Sequence, residues 1–156
     1  MKPKPLRVGP GTVMRQFSAG EASHVVESWL RAFGCNRDGI DADAFLWHIF
    51  SSGRYPSEGG LAAKSSYEQQ IAHEYVVLSN DRKVVFTTKQ RPEACSLTDY
   101  YVFPPNLAWT MAVTHEDGWL GPYFARHRNF EALDRENAAR VRKEREAQAA
   151  NLRGWR

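Results

Sequence analysis

The sequence predicts an α+β domain: an antiparallel meander of about four to five strands, packed with two to three N-terminal helices and a long polar C-terminal helix. Three observations carry this reading. Ser18-Ala19-Gly20-Glu21 has the S-x-x-E spacing of a capping box and precedes apolar residues at helical spacing. Residues 107–114 alternate between two sets of side chains, the period of a strand. Residues 129–151 are mostly polar, with Glu131 and Arg135, then Glu136 and Arg140, at i,i+4 in the stabilising order.

The elements follow in order. Ala22, Val25, Val26, Trp29, Leu30 and Phe33 form one apolar stripe after Ser18, and Gly34 stands where a helix stops. Asn36 to Asp43 is turn-like. Phe45-Leu46-Trp47-His48-Ile49-Phe50 is apolar on almost every side except at His48, so it is buried on both faces. Periodicity does not separate helix from strand there, but Asp41 or Asp43 as a cap favours a short helix. A second helix starts near Ser57, with Leu61, Ala62, Ala63, Tyr67 and Ile71 in a weaker stripe and Gly59-Gly60 loosening its first turn. Residues 75–78 and 83–88 then read as a hairpin around 79–82, and 100–103 as a third strand ended by Pro104-Pro105. In 107–114, Leu107, Trp109, Met111 and Val113 share one face, and Ala108, Thr110, Ala112 and Thr114 the other. Asp117-Gly118 is the strongest hairpin-turn dipeptide, and 119–124 returns from it, with Pro122 restricting that strand to an edge or a bulge. The last helix is docked through Phe130, Leu133 and Val141. Beyond Arg142 it lacks large apolar side chains up to Asn151, so it is a solvated helix or a frayed tail.

Composition bounds the function classes. The chain has 156 residues, 42% hydrophobic and 25% charged, which excludes collagen, a disulfide-rich miniprotein and a wholly disordered chain. No stretch approaches the roughly 18 apolar residues of a membrane span. The net charge of +3 is uneven: 1–15 carries +4 with no acid, 126–156 carries +4, and 16–125 carries −5. The expected division is a basic flexible segment at 1–15, a single α+β domain at 16–130, and a basic polar helix or tail at 131–156. The first residues, Met-Lys-Pro-Lys-Pro-Leu-Arg, have no apolar run behind their charge and so do not read as a secretory signal. Cys35 and Cys95 are the only cysteines and are simplest as reduced thiols, so the expected compartment is the cytoplasm of a bacterium.

The chemistry-bearing residues are few. His115, between Thr114 and Glu116-Asp117, has the character of a general base or a metal ligand. Strand alternation turns His115 and Glu116 apart, however, and places His115 at the wet end of the Trp109 face, which favours a structural or partner-binding histidine. His48 lies in an apolar run and reads as a neutral, hydrogen-bonded histidine. His48 and His115 with Glu116 or Asp99 lack the spacing of a metal site, so no metal and no cofactor are expected. Trp29, Trp47 and Trp109 read as core. Trp119, beside Glu116 and Asp117 at a hairpin tip, is either an interface anchor or a cross-strand packing residue. Arg140, Arg142, Lys143 and Arg145 could meet phosphates, although no base-reading motif accompanies them.

Three segments carry a resemblance: Phe45-Leu46-Trp47-His48-Ile49-Phe50-Ser51, then Trp109-Thr110 with Thr114-His115-Glu116, then Gly121-Pro122-Tyr123-Phe124. Together they resemble a family of small bacterial single-domain proteins defined as a domain of unknown function, over roughly 20–130 by layout. The resemblance implies a bacterial cytosolic domain and supplies no catalytic residue.

The leading expectation is a non-enzymatic protein-binding domain, similar by layout to an immunity-type inhibitor of a basic toxin, docking through Trp119, Glu116, Asp117, His115 and Tyr123. One alternative is a small hydrolase-like enzyme using His115 with Glu116 or Asp99 and with His48 nearby. Another is a nucleic-acid-associated protein acting through the basic C-terminal helix.

Overall fold

Ser18 caps the first helix of the computed structural model, which describes residues 5–116 and 119–154. Its hydroxyl accepts from Glu21 N at 3.3 Å, and the Glu21 carboxylate accepts from Ser18 N at 3.0 Å, so both arms of the capping box are made. Helix α1 (Ala19–Phe33) buries Ala22, Val26, Trp29, Ala32 and Phe33, and Gly34 ends it by donating its N–H to Leu30 O. Three more helices follow: α2 (His48–Ser51), α3 (Gly60–Glu68) and α4 (Phe130–Gly154). The strands are β1 (Val8–Gly9), β2 (Arg15–Gln16), β3 (Glu58–Gly59), β4 (Tyr75–Ser79), β5 (Val85–Thr88), β6 (Ala94–Cys95), β7 (Tyr100–Phe103), β8 (Trp109–Val113) and β9 (Tyr123–Arg126).

These strands form a β1-β6 pair and a seven-stranded sheet in the order β2-β5-β4-β7-β8-β9-β3. Every pairing is antiparallel. The α+β class holds, but the strand count exceeds the expected four to five. The meander is β5-β4-β7-β8-β9, and the others are two-residue bridges, too short to leave an alternating pattern in a sequence. Two of them, β1 and the start of β2, lie in the segment 1–15 that was expected to be flexible.

The large sheet is covered on both faces. Val76, Leu78, Val85, Tyr101, Phe103, Ala112 and Ala125 pack with α1 and the 42–50 segment. Tyr75, Val77, Phe86, Val102, Trp109, Met111 and Phe124 pack with α3 and the start of α4. Neighbouring residues on a strand enter opposite clusters, as the two-residue period requires. Each fully buried aliphatic or aromatic side chain contributes about 1.5–3 kcal/mol by leaving water.

Several expectations need correction. The 45–50 run does enter a short helix, as expected, but only from His48, and neither Asp41 nor Asp43 caps it: Asp41 Oδ1 accepts from Ala44 N in the turn ahead, and Trp47 stands at the N-cap. The second helix begins at Gly60, not near Ser57, because Glu58 and Gly59 pair with Phe124 and Tyr123. Its buried face is Ala63, Ser66 and Tyr67, while Leu61 is 84% exposed and Ile71 lies beyond the helix. Pro122 precedes β9, which is paired on both sides. Helix α4 docks through Phe130 and Leu133 as expected, and also through a buried polar clasp: Asn137 Nδ2 donates to Asn106 Oδ1 at 3.2 Å, and Asn106 Nδ2 donates to Leu133 O at 3.0 Å.

Candidate functional site

The candidate site lies where β8 ends and β9 begins, against the 45–48 segment. That segment is pinned from below. Tyr101 accepts from Trp47 N at 2.9 Å and donates to Asn80 Oδ1 at 2.7 Å, and the same Asn80 oxygen accepts from Leu46 N at 3.1 Å. Across the hairpin, Thr114 donates its hydroxyl to Leu120 O. Gly121 has φ +97°, and a Cβ there would stand 2.9 Å from the Thr114 side chain, so only glycine lets the two segments approach this closely.

Asp99 organises the cluster. Its carboxylate, with 9% of the side chain exposed, accepts from Trp47 Nε1 at 3.1 Å, from His115 N at 3.0 Å and from His115 Nδ1 at 3.0 Å. That fixes the imidazole with Nδ1 inward, and Nε2 lies 3.5 Å from Glu116 Oε1. His115 and Glu116 therefore come together, contrary to the alternation argument. The strand ends at Val113, and the turn that follows no longer obeys its parity. The same turn carries His115 onto the opposite side of the sheet from the Trp109 face. Its ring meets Phe45 at 5.2 Å and Trp47 at 6.2 Å, both members of the α1-side cluster.

His48 packs on the same two rings, 5.5 Å from Phe45 and 4.6 Å from Trp47, and its Nδ1 lies 2.7 Å from Asp41 O. Thus His48 and His115 share aromatic neighbours while each bonds a different acceptor. Among the described residues, no three His, Cys, Asp or Glu side chains converge as a metal site. Tyr123 stacks on Trp47 at 6.3 Å. Trp119 is 85% exposed and does not pack across the strand pair. Asp117 lies outside the described residues. Arg140, Arg142, Lys143 and Arg145 are exposed on α4. At about 100° per residue they split into two pairs on different sides of the helix, so they form no single basic stripe. Both cysteines are free thiols, Cys35 exposed and Cys95 half-buried.

The Asp99 hydrogen bond raises the His115 pKa above its usual 6.5, opposed by desolvation and helped by the charges of Asp99 and Glu116. A raised folded-state value gives stability that is complete below the unfolded pKa, near 6.5, and is lost as pH rises through the folded value. An NMR titration of the His115 ring should show a midpoint above 6.5, falling in Asp99→Asn. A wild-type midpoint at or under 6.5 would contradict this geometry.

The family model described as "Domain of unknown function (DUF4275)" matches residues 11–124. The chain belongs to this family. No curated protein and no solved structure matches it. The DUF4275 span takes in α1 to α3, Asp99, His115, Trp119 and Tyr123, and it stops before α4. The expected kinship with a family of unknown function is borne out, and the DUF4275 description assigns no activity to these residues.

Proposed function

We propose that this DUF4275 protein is a non-enzymatic binding domain whose surface around Trp119 docks a basic protein. The observation that carries this reading is a pair of large apolar side chains left in water on one surface. Trp119 is 85% exposed and Leu61 is 84% exposed, and both line one shallow concavity of about 350 Å³ with Tyr123 and Gly59-Gly60. Soluble monomers seldom expose adjoining large apolar groups without a partner, and tryptophan is the commonest anchor of such interfaces. Lys64 also lines the concavity, Glu116 adjoins it through the Trp119 N to Glu116 O hydrogen bond of 3.0 Å and acts on Tyr123, and the 16–125 segment as a whole carries −5, which favours a cationic partner. A bacterial, cytoplasmic, immunity-type inhibitor of a basic toxin fits this charge and size.

The test uses wild-type, Trp119→Ala and Leu61→Ala proteins as baits in the source cell's lysate, then calorimetry with the purified partner. A basic protein should be retained by wild type and lost by Trp119→Ala. Its affinity for Trp119→Ala should fall by about 2 kcal/mol, roughly thirtyfold, while the circular dichroism spectrum is unchanged. Equal retention by all three baits, or unfolding of Trp119→Ala, would refute the docking reading.

A second reading rests on the Asp99–His115 pair. A carboxylate on Nδ1 that leaves Nε2 outward is the arrangement of a general base in a hydrolase. Among the described residues no hydroxyl or thiol bonds Nε2, and Glu116 occupies that side. Such an enzyme would use water as its nucleophile, and His115→Ala would abolish turnover while sparing partner capture.

A further inference from the structure

We propose that the cavity between the end of α1, the turn after α2 and the chain leaving β9 is a binding site for a small phosphate monoester. The cavity holds about 370 Å³, within the roughly 300–1,000 Å³ of small-molecule sites. Arg54, Arg126 and Arg128 line it together with Tyr55 and Cys35, and no carboxylate stands among its described lining residues. Arg126 begins the leaving segment at the opposite end of β9 from Tyr123, so this cavity is separate from the Trp119 surface.

The three guanidinium groups differ in what already holds them. Arg126 Nη1 donates to Glu58 Oε1 at 2.5 Å and Nη2 donates to Ser66 Oγ at 3.2 Å, with the cation over the Phe124 and Phe130 rings. Arg54 Nη1 donates to Asp38 O at 2.8 Å and to Asn36 Oδ1 at 3.5 Å, which fixes its direction without neutralising it. Arg128 makes no hydrogen bond and no ion pair among the described residues, and its charge acts on the Tyr55 hydroxyl. These contacts turn the Arg126 guanidinium toward the α3 side of the sheet, where Phe124 and Phe130 pack, and on the cavity side Arg126 offers its carbonyl, which accepts from the Tyr55 hydroxyl at 2.5 Å. The cations at the cavity are therefore Arg54 and Arg128, and among the described residues no carboxylate pairs with either. The carbonyl end of α1 opposes an anion here, but Gly34 O is already taken by Arg37 Nη1 at 2.7 Å.

This charge count selects the ligand. A carboxylate carries one negative charge, whereas a phosphate monoester carries about −1.5 to −2 near neutral pH and offers three acceptor oxygens. Guanidinium groups bind such oxygens in bidentate pairs, and charge-assisted bonds of this kind are the strong ones. The Tyr55 ring, half-buried at the wall, supplies an apolar surface for the organic part of the ester. The cavity's volume suits a sugar phosphate or a mononucleotide and not a nucleic-acid strand.

The test is calorimetry of the full chain with ribose 5-phosphate, inorganic phosphate, ribose and a single-stranded oligonucleotide. Ribose 5-phosphate should bind, inorganic phosphate should bind more weakly, and ribose should not bind. Arg128→Ala, which removes an exposed and unbonded side chain, should weaken ribose 5-phosphate by about tenfold. Lys143→Ala, an equal charge loss on α4, should leave the affinity unchanged. In a Cys95→Ser background, bound ribose 5-phosphate should slow alkylation of Cys35 by neutral iodoacetamide, and it should not do so in Arg128→Ala. Arg54→Lys should also weaken binding, because an ammonium does not reproduce the fork. No binding of either phosphate, equal affinity in wild type and Arg128→Ala, or preference for the oligonucleotide over the monoester would each overturn the proposal.

Discussion

Trp29→Ala is expected to lower folding stability by about 3–5 kcal/mol, a large part of the roughly 5–15 kcal/mol that holds a typical domain together. Trp29 has no solvent exposure, and its ring lies 5.4 Å from Phe33, 5.9 Å from Phe50 and 5.2 Å from Tyr101. It is therefore the point where α1, α2 and β7 meet. Its Nε1 donates to Thr110 Oγ1 at 3.1 Å on β8, so removal opens a cavity and also deletes a buried hydrogen bond. Trp109 is a built-in control. It is equally buried and stacks on Phe124 at 5.7 Å, but its Nε1 has no hydrogen-bond partner among the described residues. Trp29→Phe should consequently cost about 1 kcal/mol more than Trp109→Phe in urea denaturation, the net worth of one hydrogen bond. Equal costs for the two would mean that the Trp29–Thr110 bond contributes nothing to stability. A Trp29→Ala loss under about 1 kcal/mol would displace Trp29 from the centre of the core.

The residues that were legible in the sequence are those whose neighbours are local. Ser18 and Glu21 need only each other to announce α1, and the stripe from Ala22 to Phe33 needs only its own period. Trp109, Met111 and Val113 show their common face because 109–113 is regular strand. Legibility stops where the backbone leaves its period. Leu107, at φ +60°, packs toward α1 and Ala108 toward α3, so the alternation read across 107–114 is shifted at its start, as it is at His115 at its end. Leu61 read as part of a helical stripe because no local feature shows that Glu58 and Gly59 are held by β9, which sets the start of α3 and turns Leu61 to solvent.

The candidate site was visible as residue types and hidden as an arrangement. Trp119 stands beside acids in the sequence, but that it is 85% exposed depends on packing that no local pattern shows. Asp99 lies sixteen residues from His115 and fifty-two from Trp47, so no spacing motif links the three. The arginine-lined cavity left even less trace. Arg54 and Arg128 lie far apart in the sequence, and guanidinium groups on loops look like ordinary surface charge until the fold brings them around one space. The basic residues of α4 drew attention by their density, which is the weaker signal, since helical rotation disperses them.

Asp99→Ala is expected to cost about 3 kcal/mol, more than any single change on the exposed side of the site. The carboxylate is the acceptor for Trp47 Nε1, and Trp47 is 2% exposed, so the indole N–H has no water to turn to once the acceptor is gone. A buried donor stripped of its partner costs about 1–3 kcal/mol, and the lost packing of a nearly buried side chain adds to it. The two His115 donors are lost as well, but that residue is half in water and recovers part of their bonding there. Asp99→Asn keeps an acceptor oxygen for the indole, so it should cost only about 1 kcal/mol. The order Asp99→Ala, then Asp99→Asn, then His115→Ala in urea denaturation therefore tests whether the carboxylate serves the core before it serves the surface. A His115→Ala variant as unstable as Asp99→Ala would reverse that conclusion. Asp99→Asn also separates the two functional readings while keeping the fold. Without the negative charge on Nδ1, His115 loses basicity at Nε2, and a hydrolase that depends on that nitrogen loses turnover. A docking surface anchored by Trp119 should bind its partner almost as before, because Asp99 bonds Trp47 and His115 and not Trp119.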